Sequence, residues 1–254
     1  MEEKETIGYY QSLESFALVD GPGVRSVLFL QGCPFRCLFC HNPDTWEFLK
    51  KNPITPGEAY KRLARFKPYW RNHGGITVSG GEPLAQIDFL IELAKIAHKD
   101  GTTVTLDTSG GPFTMKEPYF SKFKELLKYT DLIMLDIKCI DPEIHKKLTG
   151  YDNQNVLEMF RYLDSIGFPI WIRHVLVPGI TDDDGLLKRT DAFIKTLHNV
   201  KRVEVLPYHN LGEHKYALLN IPYPLKGTNP PSEERIKNAN ALLHTASYQG
   251  YLSE

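Results

Sequence analysis

Cysteine is scarce here: four residues in a chain of 254, three of them between positions 33 and 40. That makes a poor disulfide framework for a chain this size and fits a reducing cytoplasm better. No apolar run approaches the length needed to span a bilayer. Neither sign of charge is in excess, since 30 basic residues face 31 acidic ones for a formal net charge of −1. Binding of nucleic acid or a membrane surface by bulk electrostatics is therefore not expected. Internal repeats, low-complexity tracts and obvious linkers are missing, and the acidic, polar opening MEEKETIGYYQ does not read as a signal peptide. What is present is ordinary for a globular protein with a substantial core, with 42% hydrophobic and 24% charged residues. One domain over residues 1–254 is the simplest reading.

Strand-like and helix-like segments alternate. Strands are predicted at 24–31, 75–83, 102–110, 131–138, 169–179 and 200–209. Helices are predicted after 83, where Ile87, Leu90, Ala94 and Ala97 keep helical spacing and Gly101 ends the run, and around 117–129 and 183–197. Another helical region precedes 169, and a last helix starts near Ser232. The Asp182–Asp184 run reads as a helix N-terminus. Repeated βα units give a largely parallel sheet with right-handed crossovers. About six units fall short of the eight in a closed barrel. The expected class is thus α/β, a partial (β/α)6 TIM-like barrel open on one side. Polar or Gly-rich signatures follow the strands: Cys33 onward, Gly80–Glu82, Asp107–Gly110, Asp136–Lys138, Pro178–Gly179 and Tyr208–His209. That end of a parallel sheet is where sites are built. In DLIMLDIK, alternation puts Met134, Asp136 and Lys138 on one face and Ile133, Leu135 and Ile137 on the other.

Cys33, Cys37 and Cys40 follow a C-x3-C-x2-C spacing. Three thiolates on one loop can hold three corners of an iron–sulfur cubane and leave the fourth iron open to a reactant. The alternative is a structural Cys3His zinc site with His41, which suits the spacing less well because His41 directly follows Cys40. Cys139 reads as a small buried residue just past a strand.

The run Cys33-Pro-Phe-Arg-Cys37-Leu-Phe-Cys40 followed by GGEP (80–83) resembles the radical S-adenosylmethionine (SAM) enzymes. DGPGVR (20–25), HNPDTW (41–46), DTSG (107–110), DIK (136–138), WIRHVLVPG (171–179) and LPYHNLGEHKY (206–216) resemble one branch, the pyruvate formate-lyase activating enzymes. The resemblance implies a [4Fe–4S] cluster on the three cysteines, with SAM chelating the fourth iron. It implies reductive cleavage of SAM and removal of a hydrogen atom from a glycine of pyruvate formate-lyase, leaving a glycyl radical in a pathway of anaerobic glucose metabolism. By the same resemblance Phe39, Cys40, His41, Gly80, Gly81, Glu82, Asp136, Ile137, Lys138 and His209 surround SAM, with Arg173 on the strand face of Trp171 and Val175. Asp107, Thr108, Met134 and Asp136 are associated with a monovalent cation beside it, and Asp20 with the partner's glycine loop. A flavodoxin-like electron donor and a monomeric state are implied too.

Positions 41 to 79 hold no cysteine, so the extra clusters of some related activases are not expected. Pro83 after GGE and DTSG in place of DTNG depart from the commoner family text without removing a ligand. Two other readings stand beside the activase: a radical SAM enzyme acting on a small molecule or nucleotide, and a non-enzymatic metal-binding protein.

Overall fold

The β-branched runs become strands in the computed structural model, which describes residues 6–250. Most of the acidic opening segment lies outside the described residues. Strands are β1 (Gly8–Ala17), β2 (Arg25–Leu30), β3 (Pro53–Ile54), β4 (Gly75–Gly80), β5 (Thr103–Thr108), β6 (Leu132–Asp136), β7 (Ile170–Leu176) and β8 (Val200–Pro207). Helices are α1 (Pro56–Ala64), α2 (Ile87–Lys99), α3 (Tyr119–Leu127), α4 (Pro142–Thr149), α5 (Gln154–Ser165), α6 (Asp184–Ile194), α7 (Glu213–Leu218) and α8 (Glu233–Leu242).

The strand order is β3-β1-β2-β4-β5-β6-β7-β8, with β3 and β8 as unjoined ends among the described residues. The sheet is open and the class is the α/β partial barrel expected from the alternation. Six strands correspond to the six predicted ones. β1 and β3 are additions: β1 pairs antiparallel with both β2 and β3. The β2–β4, β4–β5 and β7–β8 pairs are parallel.

Two compact units divide the chain, one of residues 1–34, 45–108 and 112–134, the other of 35–44, 109–111 and 135–254. In the first, α1, α2 and α3 supply the helical cover. Ile87, Leu90, Ala94 and Ala97 are all buried, as the helical spacing required. α2 ends in a Schellman motif, with Gly101 at φ +66° and Thr102 N donating to Ala97 O at 3.0 Å. In the second, Met159, Phe160, Leu163, Ile170, Ile172 and Leu187 form a buried core. Three of its helices, α4, α6 and α8, begin on side-chain caps: Asp141 accepts from Ile144 N, Asp183 from Leu186 N and Ser232 from Arg235 N. Cys139 is buried just past β6.

Candidate active site

In the first unit, β2 and β4 run in register with Leu30 opposite Gly80, so the residues that follow each strand leave side by side. Gly81 N donates to Leu30 O at 2.9 Å, Glu82 N to Gly32 O at 2.8 Å, and Cys33 N to Trp46 O at 3.1 Å. A Cβ on Gly80, which has φ +113°, would sit 2.2 Å from Leu30 N, and one on Gly81 would sit 2.4 Å from Gly32 O. Both glycines are therefore demanded by chain packing beside the cysteine loop.

Glu82 is fully buried. Its Oε1 accepts from Leu84 N at 2.9 Å and from Thr108 Oγ1 at 2.6 Å. One carboxylate thus caps the turn after β4 and fastens it to the end of β5. Nearby, burial and the Glu82 charge hold the Tyr119 hydroxyl well above the usual phenol range. Ser79 donates to Asp107 Oδ2 at 2.7 Å. The register pairs Val27 with Thr77 and Thr77 with Thr105, so Thr77, Ser79, Thr105 and Asp107 share one sheet face. Met134 is buried in β6. Asp20 precedes β2, at the opposite end of that strand from Cys33, and its carbonyl accepts from Thr77 Oγ1 at 2.6 Å.

In the second unit, Cys40 N donates to Cys37 O at 3.0 Å, and Asn42 N points to Cys40 Sγ at 3.4 Å. Arg36 N and Leu38 N fasten this loop to the end of α4 through Thr149 O and Leu148 O. Burial pushes the Cys37 thiol up to about 12, against the pull of the Lys138 ammonium. Lys138 Nζ lies 2.6 Å from Asp136 Oδ2, the two side chains being 12% and 14% exposed, and 5.3 Å from the centre of the Phe39 ring. β6 ends at Asp136, so Lys138 is a loop residue where a longer strand was expected; Asp136 and Lys138 nonetheless meet. Ile137 is held by its backbone: its N–H donates to Arg173 O at 2.9 Å and its carbonyl is 2.8 Å from His174 Nδ1.

The His41 and His209 rings stack at 4.0 Å, with His41 Nε2 3.0 Å from His209 O. Burial holds the His41 imidazole below its ordinary value. His209 Nδ1 is buried without a hydrogen-bond partner among the described residues. α7 reaches the same segment: Lys215 Nζ donates to Asn42 Oδ1 at 2.7 Å, and Tyr216 OH to Cys40 O at 3.2 Å. Arg173 lies 4.0 Å from Glu204, its register partner on β8. Glu204, which also pairs with Arg202 at 2.9 Å, escaped the sequence reading. Alternation along VKRVEVLP puts Arg202 and Glu204 on one face, and that was the available signal.

The radical SAM superfamily model matches residues 27–188, more than half of the chain. The pyruvate formate-lyase-activating enzyme of Streptococcus mutans is 50% identical over 251 residues, covering 98% of this chain and 95% of that protein. The chain is a radical SAM protein of the pyruvate formate-lyase-activating enzyme family. The enzyme of that name from Listeria monocytogenes is 45% identical, covering 96% of this chain and 99% of that protein. Among solved structures, a domain of the activating enzyme from Bacteroides vulgatus has a TM-score of 0.56 at 24% identity, covering 69% of this chain and 96% of that one. A radical SAM methyltransferase from Sphaerobacter thermophilus has a TM-score of 0.62 at 19% identity, covering 87% and 63%. These two show the shared fold.

As a radical SAM protein the chain uses a [4Fe–4S] cluster and SAM, and its residues fit that use. A thiol buried as Cys37 is ionises only with a cation to compensate it, which iron supplies. The Lys138 ammonium and the buried, unpartnered Nδ1 of His209 are polar groups of the kind a charged, hydroxyl-bearing ligand requires.

Proposed function

We propose that this chain activates pyruvate formate-lyase by generating a glycyl radical in it. The observation that carries the reading is the Cys37 loop, where a buried thiol of a C-x3-C-x2-C motif feels the charges of the Lys138–Asp136 pair. Cys33, Cys37 and Cys40 would ligate the cluster. When bound, the cluster and SAM supply one-electron cleavage of the sulfonium and the radical that takes a hydrogen atom from the partner's glycine.

The remaining residues position and screen. Lys138 balances negative charge near Cys37, and Asp136 fixes the direction of the ammonium. Phe39, His41, Ile137 and His209 would line the SAM site, with His209 Nδ1 accepting from or donating to a hydroxyl. Arg173, steered by Glu204, is the candidate for a ligand carboxylate. Gly80 and Gly81 would bring backbone close to the ligand's amino group, with Glu82 holding the turn that carries them. Asp107, Thr108, Asp136 and the Met134 carbonyl offer oxygens suited to a monovalent cation. Asp20 would meet the partner's glycine loop.

No helix among the described residues is long and apolar enough to cross a membrane. Cytoplasmic residence, a flavodoxin-like donor, a monomeric state and one catalytic domain over the whole chain complete the proposal, and family resemblance supports them.

The test is an anaerobic assay of reconstituted protein with SAM, a reductant and pyruvate formate-lyase. A glycyl doublet in the electron paramagnetic resonance spectrum, matched by 5′-deoxyadenosine, is expected. Cleavage of SAM with no partner radical would redirect the search to a small-molecule substrate, and no cleavage by a protein with an intact cluster would overturn the reading.

A further inference from the structure

Arg25 is fully buried, yet its hydrogen-bond partners are carbonyls and hydroxyls. Nε donates to Thr77 Oγ1 at 2.8 Å. One terminal nitrogen donates to Pro22 O at 3.1 Å, His73 O at 3.2 Å and Thr103 Oγ1 at 3.3 Å. The other donates to Ile76 O at 2.6 Å and Thr103 O at 3.2 Å. A buried guanidinium used this way is costly unless its donors are met, and here they fasten the Asp20–Gly23 loop to β4, β5 and the loop before β4.

Thr77 makes the link specific. Its hydroxyl accepts from Arg25 Nε and donates to Asp20 O at 2.6 Å, so guanidinium, hydroxyl and loop carbonyl form a relay. Gly21, at φ +125°, packs against Arg25 and the Thr105 methyl. Gly23, at φ +67°, leaves no room for a Cβ, which would stand 2.1 Å from Arg71 O. The loop therefore lies against the sheet face that carries Thr77, Ser79, Thr105 and Asp107. On its outer flank Leu18 and Val19 are exposed.

We infer that Arg25, acting through Thr77, is the positioning residue that holds Asp20 for the protein substrate. This rests on the reading that Asp20 contacts the partner. A loop of two glycines and a proline has little shape of its own, and anchored carbonyls remove the freedom that binding would otherwise have to freeze.

Reconstituted holoenzyme variants T77V, R25M, R25K and D20N would be compared by initial rates of glycyl-radical formation. Pyruvate formate-lyase and SAM would be varied separately. T77V and R25M are expected to raise KM for pyruvate formate-lyase about tenfold, the scale of losing one or two hydrogen bonds, without a matching rise in KM for SAM. R25K, which keeps the charge but not the planar fork, should recover part of the loss. T77V keeps the test alive if R25M does not fold. An unchanged partner KM in T77V alongside a raised one in D20N would overturn the positioning role and leave the Asp20 reading intact. No effect of D20N on partner KM would overturn that reading and this inference with it. Equal rises in both KM values would mark general loosening and also overturn it.

Discussion

Thr108 Oγ1 donates to Glu82 Oε1 across 2.6 Å, and that bond ties the end of β5 to the turn after β4. Glu82 → Ala removes the buried acceptor of Leu84 N and Thr108 Oγ1, at a cost of about 1–3 kcal/mol for each lost partner left unmet. The expected result is a lowered denaturant midpoint for E82A and a smaller drop for T108V. A midpoint unmoved in E82A would show that the carboxylate is not the tie.

Cluster content should separate the four cysteines. Cys33 → Ala, Cys37 → Ala and Cys40 → Ala are expected to lose bound iron and sulfide after reconstitution, while Cys139 → Ala, altered at a buried site past β6, keeps both. Iron and sulfide per chain is the measurement. Loss in C139A equal to that in C37A would break the three-cysteine assignment.

Lys138 and Asp136 form a largely buried pair, so truncating either leaves the other charge poorly compensated. K138M and D136N should each weaken SAM binding about tenfold or more, and the double variant should fall short of the product, with a coupling of about 1–3 kcal/mol. Calorimetric titration of SAM into reconstituted protein reads both. Full additivity would show that the pair does not act as a unit.

Protonation of buried histidine should set the acid limit of the fold. His174 is 2% exposed, its Nδ1 faces the Ile137 carbonyl, and burial lowers its pKa from the ordinary 6.5. Below pH 6.5 the unfolded chain therefore binds a proton that the folded one resists. The contribution is fully present above that pH and is lost as pH falls towards the folded value. Melting temperature against pH should decline more steeply on the acid side in the parent than in His174 → Gln. Parallel curves would remove His174 from the account.

The six predicted strands are legible because each is an apolar, β-branched run closed by a polar or glycine turn. β1 is not, since GYYQSLESFA carries polar residues on both faces and its pairing with β2 shifts register twice, which breaks the two-residue period. β3 has two residues and α7 six, too short to show a pattern. Although Lys138 meets Asp136 from the loop after β6 and not from within the strand, the cysteine loop does follow from spacing. Arg25 does not: a charged residue at the start of a strand ordinarily reads as exposed, and only the partners brought by β4 and β5 reveal why it is buried.

The contacts from α7 to the Cys40 segment have a consequence for the order of assembly. Asn42 and Asp44 receive Lys215, the Cys40 carbonyl receives Tyr216, and Gly212 packs on the His41 backbone, all across more than 165 residues of chain. During synthesis the stretch that carries Cys40 thus waits until residues 212–216 have been made before these supports exist. A chain halted at residue 210 is expected to take up iron and sulfide but to release them to a chelator faster than the full chain. Secure retention of the cluster would then come later in synthesis than the cysteine loop itself.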